Sequence, residues 1–272
     1  MKKQTTIRLG MPELSMGGLS ETWLLKTCGD IHWAILSSIF DEKSSSFRDV
    51  DGNRIYPAFR SVEISQASLF KAQEDDTILI QSHIEKISNT QIYSRHEISL
   101  EYDVIVVVEM ISVFLARRVE HENKSVVRVK LKTDKKHSIN TGDFSLFKKT
   151  QKINDIKDTI NPEYFDLGKN DVFTPNTYFP CPNIHFNGAK FMYFAMFHTF
   201  VDQLEWENLN GRKIPQTNHR ETYYYGNINL GDKIFVRCSG FKKNSNQIKH
   251  WCEIFRDDNT KIADIFTTKI LL

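Results

Sequence analysis

The chain has 272 residues, a formal net charge of +2 and 40% hydrophobic residues, enough for two domains or one large one with an ample core. Its charges are interspersed, and no basic block of the kind that binds nucleic acid stands out. Cys28, Cys181, Cys238 and Cys252 are scattered without a CxxC pair, which argues for free thiols in a reducing cytosol and against a disulfide framework or a zinc site.

"MKKQTTIRLG" begins with basic residues but is followed by no apolar stretch, so no secretion signal is expected. In "GMPELSMGGLSETWLLKTCGDIHW", Gly17 and Gly18 precede Ser20, a good N-cap, and Glu21 and Thr22 suit a first helical turn. Trp23, Leu24, Thr27 and Ile31 recur at helical spacing, with an interruption or end expected near Gly29. Trp33, Leu36 and Phe40 extend the apolar pattern. After the loop "DEKSSSFRDVDGN", alternation predicts strands over 55–64, 77–87, 90–102, 105–119 and 126–131. The most apolar run, "VIVVVEMISVFLA", is too short to cross a membrane and carries Glu109, so it reads as a buried strand. Residues 132–161 are polar and charged, with no clear apolar period. "NGAKFMYFAMFHTFVDQLEWE" predicts a second long helix starting near Asn187 or Gly188. "RETYYYGNI", "GDKIFVRCSGFKK", "QIKHWCEIFR" and "TKIADIFTTKILL" are strand-like, the last two joined by the hairpin turn "RDDNTK".

One order thus recurs: helix, excursion, then a run of antiparallel strands. A central helix wrapped by a curved antiparallel sheet is the hot-dog plan. Two copies predict an α+β double hot dog, with an N-terminal hot dog over 1–140, a linker over 141–159 and a C-terminal hot dog over 160–272. An unrelated pair of α+β domains is the plainer alternative.

In this plan the orphan N–H groups at a helix mouth can hold a thioester carbonyl, or the enolate formed from it. Gly17, Gly18, Leu19 and Ser20 are the candidates, although the glycines equally suit a tight turn before a capped helix. Asn187 and Gly188 occupy the equivalent position in the second half, where Asn187 could orient a carbonyl or simply cap. His185, just before them, is a candidate base or a solvent-facing loop residue. Asp202 and Glu205 fit one exposed acidic face, and His32, His83, His96, His121 and His198 show no carboxylate pairing or metal spacing. In "GNRIYPAFRSVEI", Arg54 and Arg60 lie at even offsets from Tyr56 and would share its face on a regular strand. A guanidinium there would favour phenolate, whereas packing is the ordinary role of a strand tyrosine. No phosphate loop, dinucleotide fingerprint, serine elbow or zinc-helix motif is present.

"GMPELSMGGLSETWLLKTCGDIHW", "GNRIYPAF" and "HFNGAKFMYFAMFHTFVDQLE" resemble the double hot-dog bifunctional acyltransferase/decarboxylase family of polyketide biosynthesis. His185 stands where related sequences carry an acidic residue before FNG. The resemblance implies an enzyme that takes a methylmalonyl or related group from coenzyme A, forms an ester on a tyrosine, decarboxylates it and loads propionyl onto an acyl carrier protein. Tyr56 matches that tyrosine, and Gly17, Gly18 and Leu19 would polarise the thioester. The implied chemistry uses acyl-coenzyme A as substrate and no cofactor or metal, in the cytoplasm, without nucleic acid or membrane; a homodimer is compatible with it. The alternatives are a hot-dog thioesterase or dehydratase, for which Glu21 and His32 are the candidate groups, and a non-catalytic double hot dog that holds carrier proteins.

Overall fold

The computed structural model describes residues 1–132, 139–140, 142–168, 173–209 and 214–271. In chain order its elements are β1 (Lys2–Arg8), β2 (Leu14–Ser15), β3 (Gly18–Leu19), α1 (Glu21–Phe40), β4 (Ile55–Ser65), β5 (Thr77–Lys86), β6 (Gln91–Leu100), β7 (Asp103–Arg117) and β8 (Val126–Val129). Then come α2 (Ser145–Ile156), β9 (Asn176–Tyr178), α3 (Pro182–His185), α4 (Met196–Leu209), β10 (Gln216–Tyr224), β11 (Ile234–Lys243), β12 (Gln247–Arg256) and β13 (Lys261–Ile270). The main sheet runs β1-β5-β6-β7-β4-β10-β13-β12-β11-β9, with β8 beside β7. Every pairing in it is antiparallel. The architecture is an α+β double hot dog.

Each helix fills the concave face of its own half. The Ser20 hydroxyl accepts the Trp23 N–H at 3.3 Å and starts α1. Leu24, Leu25, Cys28, Ile31, Ile35 and Leu36 then bury against Val62, Ile64, Ile80, Ile98 and Val108. The helix does not stop at Gly29. A Cβ there would lie 3.0 Å from the Phe194 ring, so the glycine is the seat for a side chain from the other half. In that half, Phe197, Phe200, Val201 and Leu204 of α4 pack on Ile234, Val236, Ile254 and Ile265.

The halves join through the strand that follows each long helix. β4 pairs with β10 over Ser61–Ile64 and Arg220–Tyr223. Because corresponding strands meet antiparallel, the halves are related by an approximate two-fold at this seam.

Two further expectations are corrected, and one unassigned segment proves to be a strand. The second long helix starts at Met196, not near Gly188. Asn187 Oδ1 accepts the Ala189 and Phe191 amides, and Phe186 bridges to Met192. The aromatic residues before Met196 therefore anchor a loop. The polar join contains α2, whose Leu146, Thr150 and Ile153 are buried at i, i+4 and i+7. Finally, "KKQTTIR" is a strand along β5.

The polar interiors of the halves differ. Under α1, His32 bonds Ser94 at 2.7 Å and Ser112 at 2.9 Å, while His96 bonds Ser82 at 2.7 Å and Ser94 at 3.1 Å. Burial holds both imidazoles neutral, pushing His96 down to about 3. Under α4 the interior is ionic. Arg220 pairs with Glu21 and Asp202, Lys269 with Asp202 and Glu205, and His250 with Glu205. Asp202 and Glu205 are thus members of a cross-half ion network, not a solvated acidic face. Among the described residues, no helix is long and apolar enough to cross a membrane.

Candidate active site

One candidate site lies where the seam comes apart. The β4–β10 ladder ends at Ser61 and Tyr223. A bulge at Arg60 bends β4, and beyond Tyr224 the chain turns onto β13, with the Tyr225 N–H donated to Ile262 O at 2.8 Å. The strands splay and leave a cavity of about 430 Å³ between the halves. Its inner wall is aromatic: Trp33 stacks on Phe59 at 4.5 Å, and Phe59 meets Phe194 at 4.4 Å. A volume of this size suits an organic ligand.

The polar groups around the cavity are few. Asn187 Oδ1 accepts the Ala189 and Phe191 N–H groups at 3.0 and 3.1 Å. That fixes the side-chain amide, and its Nδ2 donors have no protein acceptor among the described residues. The Tyr193 hydroxyl is pushed up to about 12 by burial and by Asp30. Arg60 and Arg128 also line the wall. Among the described lining residues there is no carboxylate and no imidazole.

Tyr56 lies just behind this wall. Its ring meets Phe191, a lining residue, edge-on at 5.3 Å. Arg54 and Arg117 sit over the Tyr56 ring at 5.0 and 4.7 Å. Arg117 is held by Asn123 Oδ1 at 2.8 Å and Ala189 O at 2.5 Å. Arg54 is therefore beside Tyr56 as its spacing suggested, while Arg60, the extra residue of the bulge, turns to the cavity. Arg117, Phe191 and Arg128 were not singled out from the sequence; only pairing of β7 with β4, of β8 with β7, and the fold of the 186–195 loop bring them here.

The mouth of α1 is a separate place. Gly17, Leu19 and Ser20 line a groove of about 310 Å³ with Glu21, Trp206 and Lys269. Gly18 has φ +95°, and a Cβ would fall 2.2 Å from Leu69 O, so close backbone packing requires glycine. The Ser20 N–H is donated to Glu13 O at 2.8 Å. The amides open at this mouth are those of Glu21 and Thr22, which lack intrahelical acceptors and have no other acceptor among the described residues. Trp33 lies twelve residues further along α1, about 18 Å at 1.5 Å per residue. The structure does not bring Gly17, Gly18, Leu19 and Ser20 together with Tyr56.

Glu21 is held by the other half. His198 Nδ1 lies 3.0 Å from Glu21 Oε1, and its Nε2 lies 2.6 Å from Thr222 Oγ1. Burial would raise the Glu21 carboxyl, but Arg220 and His198 outweigh it and hold the group low. The histidine paired with Glu21 is thus His198, and His32 bonds only serines. At the second mouth, the Met196 and Phe197 amides are taken by Tyr193 O and Phe194 O. Gly188 lies eight residues before that helix, with nothing within 4 Å of an added Cβ. His185 Nδ1 accepts the Cys181 N–H at 2.8 Å, so the neutral ring carries its proton on Nε2 and presents a donor. Burial lowers its pKa. Its ring lies 4.8 Å from Phe200.

A third polar cluster lies on the seam's outer face. Glu63, His219 and Glu221 converge closely enough to share a cation. Lys149 of α2 already donates to both carboxylates at 2.8 and 2.7 Å, so the cluster has a cation of its own.

No protein-family model and no curated protein sequence matches the chain. Solved structures do share its whole architecture. A provisionally assigned oleoyl thioesterase from Lactobacillus plantarum superposes with a TM-score of 0.71 at 11% identity, covering 100% of this chain and 96% of its own. An acyl-ACP thioesterase from Bacteroides thetaiotaomicron gives 0.65 at 8% identity, covering 100% and 98%. The 12:0-ACP thioesterase from Umbellularia californica gives 0.64 at 8% identity with the same coverage. At these identities the likeness establishes the fold.

Proposed function

We propose that the protein cleaves acyl thioesters, holding the acyl group in the seam cavity with its carbonyl oxygen on Asn187 Nδ2. The observation that carries this reading is the orientation of Asn187. Two backbone amides fix its oxygen, so its donors stand free at an aromatic-walled cavity. A preset donor gains strength as the carbonyl becomes an oxyanion, which is how such a group lowers a barrier. Whole-chain likeness to thioesterases supports the same chemistry. Coenzyme A and acyl carrier protein are the natural thiol carriers to test. Asn187→Asp keeps the oxygen that accepts both amides and removes the donors. Thiol release from acyl-coenzyme A or acyl carrier protein should fall about 10²–10³-fold with the melting temperature maintained. Wild-type turnover in that variant would end the proposal.

The fate of the acyl group divides two readings. Hydrolysis is favoured by the thioesterase neighbours. Acyl transfer through Tyr56, with decarboxylation of a malonyl-type group, is favoured by the two guanidinium groups on its ring. For that route Phe191 must shift to admit the substrate. Intact mass after incubation with acetyl-, malonyl- and methylmalonyl-coenzyme A separates them. An adduct lost in Tyr56→Phe supports transfer. Free acid without an adduct, lost in Asn187→Asp and kept in Tyr56→Phe, supports hydrolysis. If neither thiol nor acid is released from any carrier, a carrier-protein scaffold becomes the better account.

A further inference from the structure

Arg60 and Arg128 face the same cavity from β4 and β8, and neither has a hydrogen-bond or ion-pair partner within 4 Å among the described residues. Arg60 is half-buried and Arg128 is exposed at the cavity edge, whereas the fully buried Arg220 and the mostly buried Lys261 and Lys269 each touch carboxylates. Arg60, half-buried and without such a partner, therefore has a local meaning. Burial and the Arg128 charge both lower the Arg60 pKa, and Tyr225 and Asp155 offset this only through space. The Tyr225 hydroxyl is itself donated to Asp264 at 2.7 Å. Two guanidinium groups that repel each other beside an apolar cavity are relieved by one anion between them. Arginine is suited to this, because its planar donors match carboxylate and phosphate oxygens.

We infer that the seam cavity binds an amphipathic anion, with its carboxylate or phosphate between Arg60 and Arg128 and its apolar body against Trp33, Phe59 and Phe194. The proposal deepens the acyl-site reading by giving its ligand a charge, but its test needs no turnover. The anion has two chemical sources: the carboxylate of a free acid, as thioester cleavage would release, or a phosphate carried by the acyl donor. Both present oxygens on a compact anionic head. The apolar body follows from the aromatic wall, which offers stacking surface and no ion of opposite charge.

Calorimetric titration with decanoate, decyl phosphate and decanol tests this on the intact chain. At least one anion should bind about tenfold or more tightly than decanol, and its affinity should fall as ionic strength rises. Arg60→Gln and Arg128→Gln should each weaken the anion by about tenfold, the scale of one charge-assisted hydrogen bond, and leave decanol unchanged. Neither arginine has a hydrogen-bond or ion-pair partner to lose among the described residues, so both variants should melt at or above the wild-type temperature. Ala58→Leu, which narrows the cavity without altering charge, should weaken all three ligands. Preference for decanoate assigns the anion to an acid, and preference for decyl phosphate assigns it to a phosphate-bearing donor. Equal binding of decanol and both anions, or wild-type anion affinity in the double arginine variant, would overturn the inference. If Arg60→Gln and Arg128→Gln prove unstable, loss of anion binding by Ala58→Leu with no ionic-strength dependence in the wild type would overturn it as well.

Discussion

The two helix mouths of this molecule stand in corresponding positions and have opposite character. At α1, the Ser20 cap and the Glu13 carbonyl satisfy the flanking amides and leave those of Glu21 and Thr22 open to a groove. At α4, the carbonyls of Tyr193 and Phe194 fill the first turn, and the loop before it contributes a side-chain amide to a cavity instead. One mouth offers backbone donors with a carboxylate, and the other opens on a cavity where its side-chain donor meets Arg60 and Arg128 from the first half. The same fold position can therefore serve a carbonyl in two ways, and the chain before each helix decides which.

The largest test of this contrast is Arg220, which ties the α1 mouth to the other half through Glu21 and Asp202. Arg220→Met should lower stability by about 3–5 kcal/mol in urea unfolding, because it removes the buried guanidinium that holds the largely buried Glu21 carboxylate. A loss below about 1 kcal/mol would mean the mouth does not depend on that tie. Next comes the backbone. Gly18→Ala should destabilise by about 3 kcal/mol, through positive φ and the Leu69 carbonyl.

The neutral interior under α1 makes a pH prediction. His96 is held neutral down to about 3 in the folded chain, whereas an unfolded histidine protonates near 6.5. Its contribution is complete above the unfolded value and is lost as pH falls toward the folded one. One such histidine removes about 2 kcal/mol by about pH 5. Urea midpoints measured down that range should fall less steeply in His96→Gln, and an unchanged slope would place the acid sensitivity elsewhere. The smallest effect is expected at the second mouth. Gly188→Ala should change stability by less than about 0.5 kcal/mol, since nothing stands near its added Cβ. A loss as large as that of Gly18→Ala would break the comparison.

Much of the frame was legible before any coordinates. Strands announce themselves by alternation, and Ser20 marked the start of α1 because capping is a local preference. The start of α4 was not legible: Asn187 and Gly188 satisfy the same local rules as a helix entrance, and only the bridge from Phe186 to Met192 shows that the chain folds back. α2 was hidden because Thr150 occupies a core position, where its hydroxyl meets Ser61. The contents of the site were less legible still. Tyr56, Asn187 and Arg60 could be nominated from motif and spacing, but their neighbours come from distant strands. The pairing of Glu21 with His198 and Arg220 spans 177 and 199 positions, beyond any spacing rule.

The seam itself has an evolutionary consequence. Were the two halves separate, identical subunits meeting through β4 and its counterpart, symmetry would oblige both helix mouths to carry the same residues, and any change at one would appear at the other. Joined in one polypeptide, the halves are free of that constraint. A carboxylate can settle at one entrance and an amide at the other, each inherited independently. Two fragments of this chain, cut between the halves and mixed, should therefore assemble only as unlike partners, because the ion network at the seam needs Glu21 from one piece and Arg220 from the other.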